Sequence, residues 1–480
     1  MPDNLVVRTR IAPSPTGEYH IGHLRTCLYD YALAKQSGGQ FIIRIEDTDQ
    51  KRYVEGAVDR ILQVIKDYGL SWDEGPDISG PYSPYIQTQR LEIYEKYAQE
   101  LLNQGNAYYC FCSEERLAEM RNLQKAAGHL PKYDRTCLKL TKDEIDQKLA
   151  NGEKPVLRMK IPDNQTIKFI DAVRGEIKFN TNDVDDQIIV KSNGIPTYQF
   201  AVVIDDHLMN ITHIFRGEEW ISSTPKQILL YQFFNWKIPV IAHLTVLMDP
   251  DGKGKMSKRH GSVSARSFLE AGYLPDAMLN FLMLLGWNPG TDKELFTLNE
   301  FVKEFSLSHL HKKSPEFDRK KLDYFNGLYI RQKTDSELAK LLKPFIPNLD
   351  DETLLAIIPL IKERIVTLKQ AADFIKFIWM DINYDKSLLI SDKITTDIAK
   401  DMLQKSKNLI ENENDLSLNN IQPKLIDLIK SNNWKVGDFF MVFRVAIAGS
   451  RQTPPIVDCL PILGKENVLR KLTFAIDILC

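Results

Sequence analysis

The sequence predicts an α/β protein with a parallel sheet, a mixed insertion and an all-helical C-terminal part. Three observations lead to this fold class. A strand, a helix and a second strand follow one another at the start of the chain, whereas the region 87–197 loses that alternation. After about residue 270 the apolar residues keep a helical spacing towards the end of the chain.

The first strand–helix–strand unit is bounded by clear breaks. Residues 5–11 have the character of a buried strand, and the two prolines in 13–17 end it. Apolar residues then recur at helical spacing over 21–32, and residues 41–45 form a second strand-like run. Two strands joined through a helix pair in parallel, so a parallel sheet is expected.

The sheet is expected to resume after the insertion. Residues 200–204 and 211–215 have strand character, and residues 244–248 form a further candidate strand before a lysine-rich loop. The strand-like pieces 156–161 and 188–190 do not alternate regularly with helices, which favours an inserted region.

The composition is typical of a soluble, cytoplasmic protein. The formal net charge is −2, so a nucleic-acid partner needs local basic patches. Six cysteines are too few and too scattered for a disulfide framework. The N-terminus has no apolar signal segment, and the longest apolar run, 279–287, falls short of the ~20 residues of a membrane span.

Two short segments carry groups of the kind that bind a polyphosphate. The run His-Ile-Gly-His at 20–23 opens the first predicted helix, where backbone N–H groups and the macrodipole favour an anion. The run Lys-Met-Ser-Lys-Arg at 255–259 follows a glycine-rich turn, and lysines on such a loop can close over phosphates. Taken singly, each has an ordinary alternative: a chance histidine pair and a solvated basic loop. Together they indicate two halves of a phosphate clamp.

Charged side chains also follow the predicted strands, where ligands of open α/β sheets bind. Glu46 and Asp47 point to opposite faces, so one can hold an ammonium group while the other structures the turn. Arg10 and Arg216 are candidate carboxylate binders through the guanidinium fork, with Tyr198 as a wall of the same pocket. The alternative is an ordinary set of capping carboxylates, surface arginines and a core aromatic residue.

Motifs spread over the whole chain carry a family signal. They are Arg10–Gly17, His20–His23, Arg44–Asp49, Asp205–Met209, Arg216–Trp220, Lys255–Gly261, Gly272–Ala277, Leu284–Trp287 and, near the C-terminus, Arg444, Ala446, Gly449 and Pro454-Pro455. In this order they resemble the bacterial-type glutamyl-tRNA synthetases, which are class I aminoacyl-tRNA synthetases.

The resemblance implies a Rossmann-type catalytic domain with an inserted acceptor-binding domain and an all-α C-terminal anticodon-binding domain. The expected boundaries are 1–86 and 198–250 for the two halves of the catalytic domain, 87–197 for the insertion, 251–328 for a stem-contact region with the lysine loop, and 329–480 for the anticodon-binding domain.

The resemblance also implies a reaction: L-glutamate and ATP, supplied with Mg²⁺, give glutamyl-adenylate, and the glutamyl group passes to the 3′ end of tRNA-Glu. Such enzymes are typically monomeric and need bound tRNA for activation. The implied glutamate-binding residues are Arg10, Ala12, Ser14, Glu46, Tyr198 and Arg216. The implied ATP-binding and catalytic residues are His20, Gly22, His23, Glu219, Lys255 and Lys258.

A cysteine group in the insertion raises the question of zinc. Cys110, Cys112 and, after 24 further residues, Cys137 resemble the zinc site of some family members, but Lys139 stands where those have a histidine. Tyr133 has the spacing seen in the related glutamyl-queuosine tRNA-Asp synthetases. Three thiolates and a phenolate can complete a tetrahedron; the alternative is three vestigial buried cysteines.

Related activities are disfavoured by particular residues. Glutaminyl-tRNA synthetases carry Pro-Glu-Pro-Asn where this chain has Pro-Ser-Pro-Thr at 13–16. Glutamyl-queuosine synthetases lack the helical C-terminal domain, and a catalytically dead paralogue is expected to have lost the histidines or Lys258.

Basic residues at 309–313 and 319–321 can contact tRNA phosphates or form solvated loops. Arg364 aligns with an anticodon-reading arginine, and a non-discriminating enzyme that also charges tRNA-Gln stays an open alternative.

Overall fold

The computed structural model describes residues 6–251, 254–256 and 263–480. The chain forms two compact units, the first made of residues 1–267 and 278–319, the second of residues 268–277 and 320–480. Within the described ranges, none of the helices has the length and apolarity that crossing a bilayer requires.

The strands of the described residues all lie in the first unit. They are β1 Arg8–Ile11, β2 Gln40–Ile43, β3 Ala107–Cys110, β4 Val156–Met159, β5 Thr166–Asp171, β6 Gly175–Asn180, β7 Ile188–Val190, β8 His213–Gly217 and β9 Val240–Leu244. β1 and β2 pair in parallel. A second sheet has the order β6-β5-β9-β8, in which β5, β9 and β8 are mutually parallel and β6 is antiparallel. β3, β4 and β7 form a separate antiparallel sheet.

A backbone hydrogen bond joins the β1-β2 sheet to the β6-β5-β9-β8 sheet. The N–H of Thr212, just before β8, donates to the carbonyl of Arg8 in β1 at 2.9 Å. The carboxyl ends of β1, β8 and β9 consequently lie at one edge, which is where open α/β sheets bind ligands.

Helices account for most of the remaining elements. They are α1 Ile21–Gln36, α2 Ala57–Asp67, α3 Leu91–Asn103, α4 Glu114–Ala126, α5 Lys142–Ala150, α6 Tyr198–Leu208, α7 Thr224–Phe233, α8 Ala265–Glu270, α9 Pro275–Leu284, α10 Leu298–Glu304, α11 Arg319–Gln332, α12 Asp335–Leu342, α13 Asp351–Ile361, α14 Leu368–Ile375, α15 Thr396–Glu411, α16 Leu418–Ser431, α17 Val436–Ala448, α18 Leu460–Leu463 and α19 Lys465–Asp477. Gly38, with φ of 65°, follows the end of α1 and breaks the helix as the sequence predicts.

The described part of the second unit contains helices and no strand longer than an isolated bridge, and it has its own apolar core. Ile357, Ile358 and Ile361 from α13 are buried against Leu338 of α12 and Ile375 of α14. The all-helical C-terminal region predicted from the apolar spacing is therefore confirmed.

The predicted βαβ unit is confirmed, but one predicted strand is wrong. Residues 200–204 belong to helix α6 and not to a strand. Every residue of α6 from Gln199 to Asp206 is buried, so the helix has no solvent-facing side in that range. The apolar residues of such a helix show no helical periodicity, and in sequence they look like a buried strand. The strand expected at 244–248 lies earlier in the chain, since β9 ends at Leu244.

Candidate active site

A cavity of about 860 Å³ opens at the carboxyl ends of β1, β8 and β9. This volume falls in the range that encloses small-molecule ligands. The structure brings eleven of the predicted site residues together on its lining: Arg10, Ala12, Ser14, His20, Gly22, His23, Glu46, Tyr198, Arg216, Glu219 and Lys255. The remaining one, Lys258, lies outside the described residues.

Helix α1 begins beside this cavity, with His20 as its N-cap. The Nδ1 atom of His20 accepts a hydrogen bond from the backbone N–H of Gly22 at 2.9 Å, so the proton of the neutral ring sits on Nε2. Burial, together with His23 and Lys255, lowers the pKa of His20 to about 4. At neutral pH His20 therefore offers an uncharged N–H donor at a helix N-terminus, an arrangement suited to a phosphate oxygen.

Glycine at position 22 keeps this contact short. A Cβ atom there would lie 3.1 Å from Nδ1 of His20, tighter than ordinary side-chain packing. A residue with a side chain there would therefore require the imidazole to shift slightly.

The lysine-rich segment reaches the cavity through its described residues. The Nζ atom of Lys255 lies 3.5 Å from a carboxylate oxygen of Glu219. Met256 is buried, and its N–H donates at 2.8 Å to the backbone just after β9. Further along, the carbonyl of Val263 accepts from the N–H of Ile21 at 2.9 Å. The described residues on both sides of the segment are thus tied to elements around the cavity.

Arg10 and Glu46 belong to a buried ionic network beside the cavity. Asp206 accepts from Nε of Arg10 at 3.0 Å and from Nη1 of Arg44 at 2.7 Å. Nη2 of Arg44 donates to Glu46 at 2.9 Å. Because Asp206 pairs with it directly, the charge of Arg10 is already neutralised within the protein.

The two neighbouring carboxylates after β2 have different surroundings. Burial raises the pKa of Glu46 to about 7, although the charges of Arg44 and Arg10 oppose the shift. Asp47 instead accepts from the backbone N–H of Thr88 at 2.9 Å and from its hydroxyl at 2.5 Å. Glu46 therefore lines the cavity, whereas Asp47 holds Thr88. Both residues lie beyond β2, which ends at Ile43, so the strand alternation expected from the sequence is not what separates them.

Arg216 differs from Arg10 because the acceptors around it are neutral. Its Nε donates to Nε2 of His243 at 3.0 Å, Nη1 to Oε1 of Gln227 at 2.5 Å and Nη2 to Oγ1 of Thr224 at 2.8 Å. Arg216 is only 6% exposed, and burial lowers its pKa. Over the described part of the chain, no carboxylate forms an ion pair with it, so a ligand carboxylate would supply the missing counter-charge.

Aromatic side chains form one wall of the cavity. The rings of Tyr198, at the start of α6, and Trp220 lie 4.5 Å apart at an interplanar angle of 37°. Burial raises the pKa of Tyr198 to about 12, so its hydroxyl stays protonated at neutral pH and remains a hydrogen-bond donor.

Two residues that organise the site had no role predicted from the sequence, Asp206 and His243. One feature of the sequence could have pointed to both residues: each is a polar residue among apolar neighbours. Asp206 follows the apolar run 200–204, and His243 lies inside the buried strand β9. Their partners are remote in sequence, since Arg10 lies 196 positions from Asp206.

The cysteines of the insertion form a tight group away from the cavity. The sulfur atoms of Cys110, Cys112 and Cys137 all lie within 4.8 Å of one another. The hydroxyl oxygen of Tyr133 is 3.4 Å from Sγ of Cys110 and 3.3 Å from Sγ of Cys112. A hydrogen bond with Cys137 is the main cause that lowers the pKa of Cys110, to about 4. Three soft donors and a phenol oxygen therefore lie side by side, a grouping of donor atoms that can hold one metal ion.

Comparison with known proteins agrees with this geometry. Residues 6–324 match the family described as tRNA synthetases class I (E and Q), catalytic domain, and residues 337–476 match an anticodon binding domain. The glutamate–tRNA ligase of Borrelia duttonii (strain Ly) is 43% identical, with 99% of this chain and 96% of that protein covered. The glutamate–tRNA ligase of Clostridioides difficile (strain 630) is 40% identical, with 98% of each covered.

A solved structure extends the similarity to three dimensions. It is the glutamate tRNA ligase from Elizabethkingia meningosepticum CCUG26117 in complex with its amino acid, with a TM-score of 0.85, 34% identity and coverage of 99% of this chain and 100% of that one. The expected class I catalytic domain and helical anticodon-binding domain are confirmed. The chain belongs to the glutamate–tRNA ligase family of class I tRNA synthetases.

Proposed function

We propose that the chain activates L-glutamate with ATP, forming glutamyl-adenylate and pyrophosphate, and transfers the glutamyl group to the 3′ end of tRNA-Glu with release of AMP. The observation that carries this proposal is the buried guanidinium of Arg216, held by neutral acceptors beside the cavity. Such a group favours an amino acid with a carboxylate side chain over a neutral amide.

Catalysis in this scheme consists of positioning and electrostatics, with no protein nucleophile. The neutral Nε2–H of His20 and the ring of His23 would donate to phosphate oxygens of ATP, which enters with its Mg²⁺. Lys255 lies at the cavity beside Glu219, and we assign it and Lys258 to the charge that develops on the departing pyrophosphate.

The amino acid would lie deeper, between Arg10, Glu46 and Arg216, with Ala12, Ser14 and Tyr198 completing its pocket. Glu46 is the proposed partner of the α-ammonium group. Arg10, already paired with Asp206, would contribute orientation more than net charge, which leaves Arg216 as the group that reads the side-chain carboxylate.

Aminoacylation assays test the proposal directly. The purified chain, with ATP, Mg²⁺ and purified tRNA-Glu, is expected to form glutamyl-tRNA and to reject glutamine and aspartate. Failure to charge tRNA-Glu with glutamate, or equal use of glutamine, would contradict it.

Use of tRNA-Gln is the second candidate activity. Arg364, the predicted anticodon reader, is exposed in the turn after α13 and within the range of the anticodon binding domain. We propose selectivity for tRNA-Glu on this basis. Charging of purified tRNA-Gln at a comparable rate would establish the non-discriminating form instead. That the chain is monomeric and cytoplasmic stays a prediction, and light scattering checks the first part.

The raised pKa of Glu46 predicts a pH dependence of glutamate binding. Below pH 7 the carboxyl group is increasingly protonated and loses its attraction for an ammonium group. The KM for glutamate should therefore rise about tenfold between pH 8 and pH 6, with little change in the KM for ATP. Steady-state kinetics of the wild type and of Glu46→Gln provide the measurement. The variant should show a high KM that is flat with pH, and a flat wild-type profile would count against the assignment.

We further propose that Cys110, Cys112, Cys137 and Tyr133 hold a structural zinc ion. The support is the convergence of their donor atoms; Lys139 contributes no ligand in this assignment. Zinc bound there would hold β3 and α4, which flank Cys110 and Cys112, in place.

Metal analysis of the purified chain is expected to give one zinc per chain. Cys112→Ser should lose it, and Tyr133→Phe, which leaves three thiolate ligands, should bind it more weakly than the wild type. Cys459→Ser, at a buried cysteine of the second unit, is the matched control and should keep the metal. A wild-type protein free of zinc after purification without chelators would refute the site.

A further inference from the structure

Three adjacent parallel strands align an acid, an imidazole and a guanidinium beside the cavity. The β8–β9 register places Arg216 opposite His243. Asp171 ends β5, on the other side of β9, where β5 and β9 also run in parallel. Nδ1 of His243 lies 2.6 Å from Oδ2 of Asp171, and Nε2 of His243 lies 3.0 Å from Nε of Arg216.

The hydrogen bonds determine the tautomer of His243. A guanidinium can only donate, so Nε2 of His243 must be unprotonated and accept, and Nδ1 must carry the proton donated to Asp171. Burial and the charge of Arg216 favour the neutral ring more than Asp171 opposes it, and the pKa of His243 is lowered.

Asp171 is itself held rigidly. Its Oδ1 accepts from the backbone N–H groups of Val173 at 3.0 Å and Arg174 at 2.8 Å, and its Oδ2 accepts from the backbone N–H of His243 at 3.0 Å. Burial opposes ionisation, but the hydrogen bonds from His243 and the backbone outweigh it and lower the pKa of Asp171. The imidazole is consequently clamped at its Nδ1 side by a fixed carboxylate.

A neutral imidazole affects Arg216 differently from a carboxylate. A carboxylate in direct contact, such as Asp206 at Arg10, neutralises the guanidinium it orients. His243 orients Arg216 yet leaves its charge for a ligand. His243, Gln227 and Thr224 take three of its five N–H groups, and the hydroxyl of Tyr198 is a further neutral partner, so the charge of the guanidinium stays available to a ligand carboxylate.

We propose that Asp171 and His243 are a positioning pair that holds Arg216 in place without neutralising it, and that this pair sets the preference for glutamate over glutamine. The inference rests on the proposed function, because it takes Arg216 as the reader of the side-chain carboxylate. Neither residue touches the substrate in this scheme; both act through Arg216.

Two amide substitutions separate the roles of the two ring nitrogens. An asparagine amide reaches the position of Nδ1, whereas a glutamine amide reaches that of Nε2. His243→Asn keeps a partner for Asp171 but removes the acceptor of Arg216, and His243→Gln restores that acceptor. Loss of one hydrogen bond to a charged group corresponds to about a 10- to 100-fold change in binding.

ATP–pyrophosphate exchange with tRNA present gives the test. His243→Asn should raise the KM for glutamate at least tenfold and lower the glutamate-to-glutamine selectivity, with the KM for ATP unchanged, whereas His243→Gln should stay within about threefold of the wild type. Equal effects of the two variants, or a parallel change in both KM values, would show a merely structural role and overturn the proposal.

The wild-type protein supplies an independent readout. ¹⁵N NMR of the histidine side chains, with His243 identified by its absence in a variant or by selective labelling, should show Nδ1 protonated and Nε2 bare. A ring protonated at Nε2 overturns the proposal even if neither variant folds. Failure of the wild type to activate glutamate would instead refute the proposed function, so the two outcomes are distinguishable.

Discussion

Replacing Arg216 with alanine should abolish glutamate activation at ordinary glutamate concentrations while leaving ATP affinity nearly intact. Two hydrogen bonds to a charged carboxylate are worth about 1.5–3 kcal/mol each, so their loss corresponds to two to four powers of ten in kcat/KM for glutamate. ATP–pyrophosphate exchange with tRNA present measures this effect, and nucleotide binding is measured separately.

The size of the effect follows from the surroundings of the guanidinium. His243, Gln227 and Thr224 are neutral acceptors, so the described residues orient the charge of Arg216 without cancelling it. A buried charge with neutral partners gains more from a ligand carboxylate than an exposed one does. A glutamine side chain would leave that charge unpaired, and discrimination against it follows.

Arg216→Lys is the informative companion variant. Lysine retains the positive charge but not the planar fork, so it should recover part of the glutamate affinity while losing selectivity against glutamine. Thermal melting verifies that both variants fold. An unchanged KM for glutamate in Arg216→Ala would remove Arg216 from the pocket and the basis of the proposed specificity with it.

The sequence predicts those parts of the fold that local pattern determines. The helix that starts at His20 and stops before Gly38 is confirmed, because capping, apolar spacing and glycine act over a few residues. Helix α6 is not predicted from the sequence, for the opposite reason: it is buried from Gln199 to Asp206, and its identity as a helix depends on tertiary packing.

The residues of the candidate site also fall into those that the sequence predicts and those that it does not. Residues carried by motifs, such as His20 and Glu46, can be found from their neighbours in sequence. Asp206 and His243 cannot, because their roles depend on partners that only the tertiary fold brings close: Asp206 lies in a helix, and His243 in a strand. Arg44 lies 162 positions from Asp206, and Asp171 lies 72 positions from His243. The difference between a neutralised Arg10 and an unneutralised Arg216 is likewise visible only in three dimensions.

Asp206→Asn should strongly destabilise the first unit. The side chain of Asp206 is 2% exposed, and its carboxylate accepts from both Arg10 and Arg44. An amide of the same shape turns an N–H group towards one guanidinium and removes the charge that compensates both. Breaking a buried ion pair on one side costs about 3–5 kcal/mol, so a large fall in Tm or loss of soluble protein is expected.

Asp163→Asn is the matched control. Asp163 also pairs with an arginine, Arg135 at 2.7 Å, but 67% of its side chain is exposed. Exposed pairs contribute about 0–1 kcal/mol, so this variant should melt close to the wild type. A shift in Asp206→Asn no larger than the control would show that the protein does not need the Asp206 charge.

The pH dependence of the Tm difference between wild type and Asp206→Asn gives a second, independent check of the role of the Asp206 charge. Burial alone would raise the pKa of Asp206, but Arg10 and Arg44 outweigh it and the pKa is lowered. The stabilisation by this carboxylate is therefore fully present above its unfolded pKa of about 3.9 and is lost as the pH falls through the lower folded value. The Tm gap between wild type and Asp206→Asn should accordingly be constant from pH 8 to pH 5 and narrow below pH 4. A gap that stays constant into acid would mean that shape, and not charge, is what Asp206 provides.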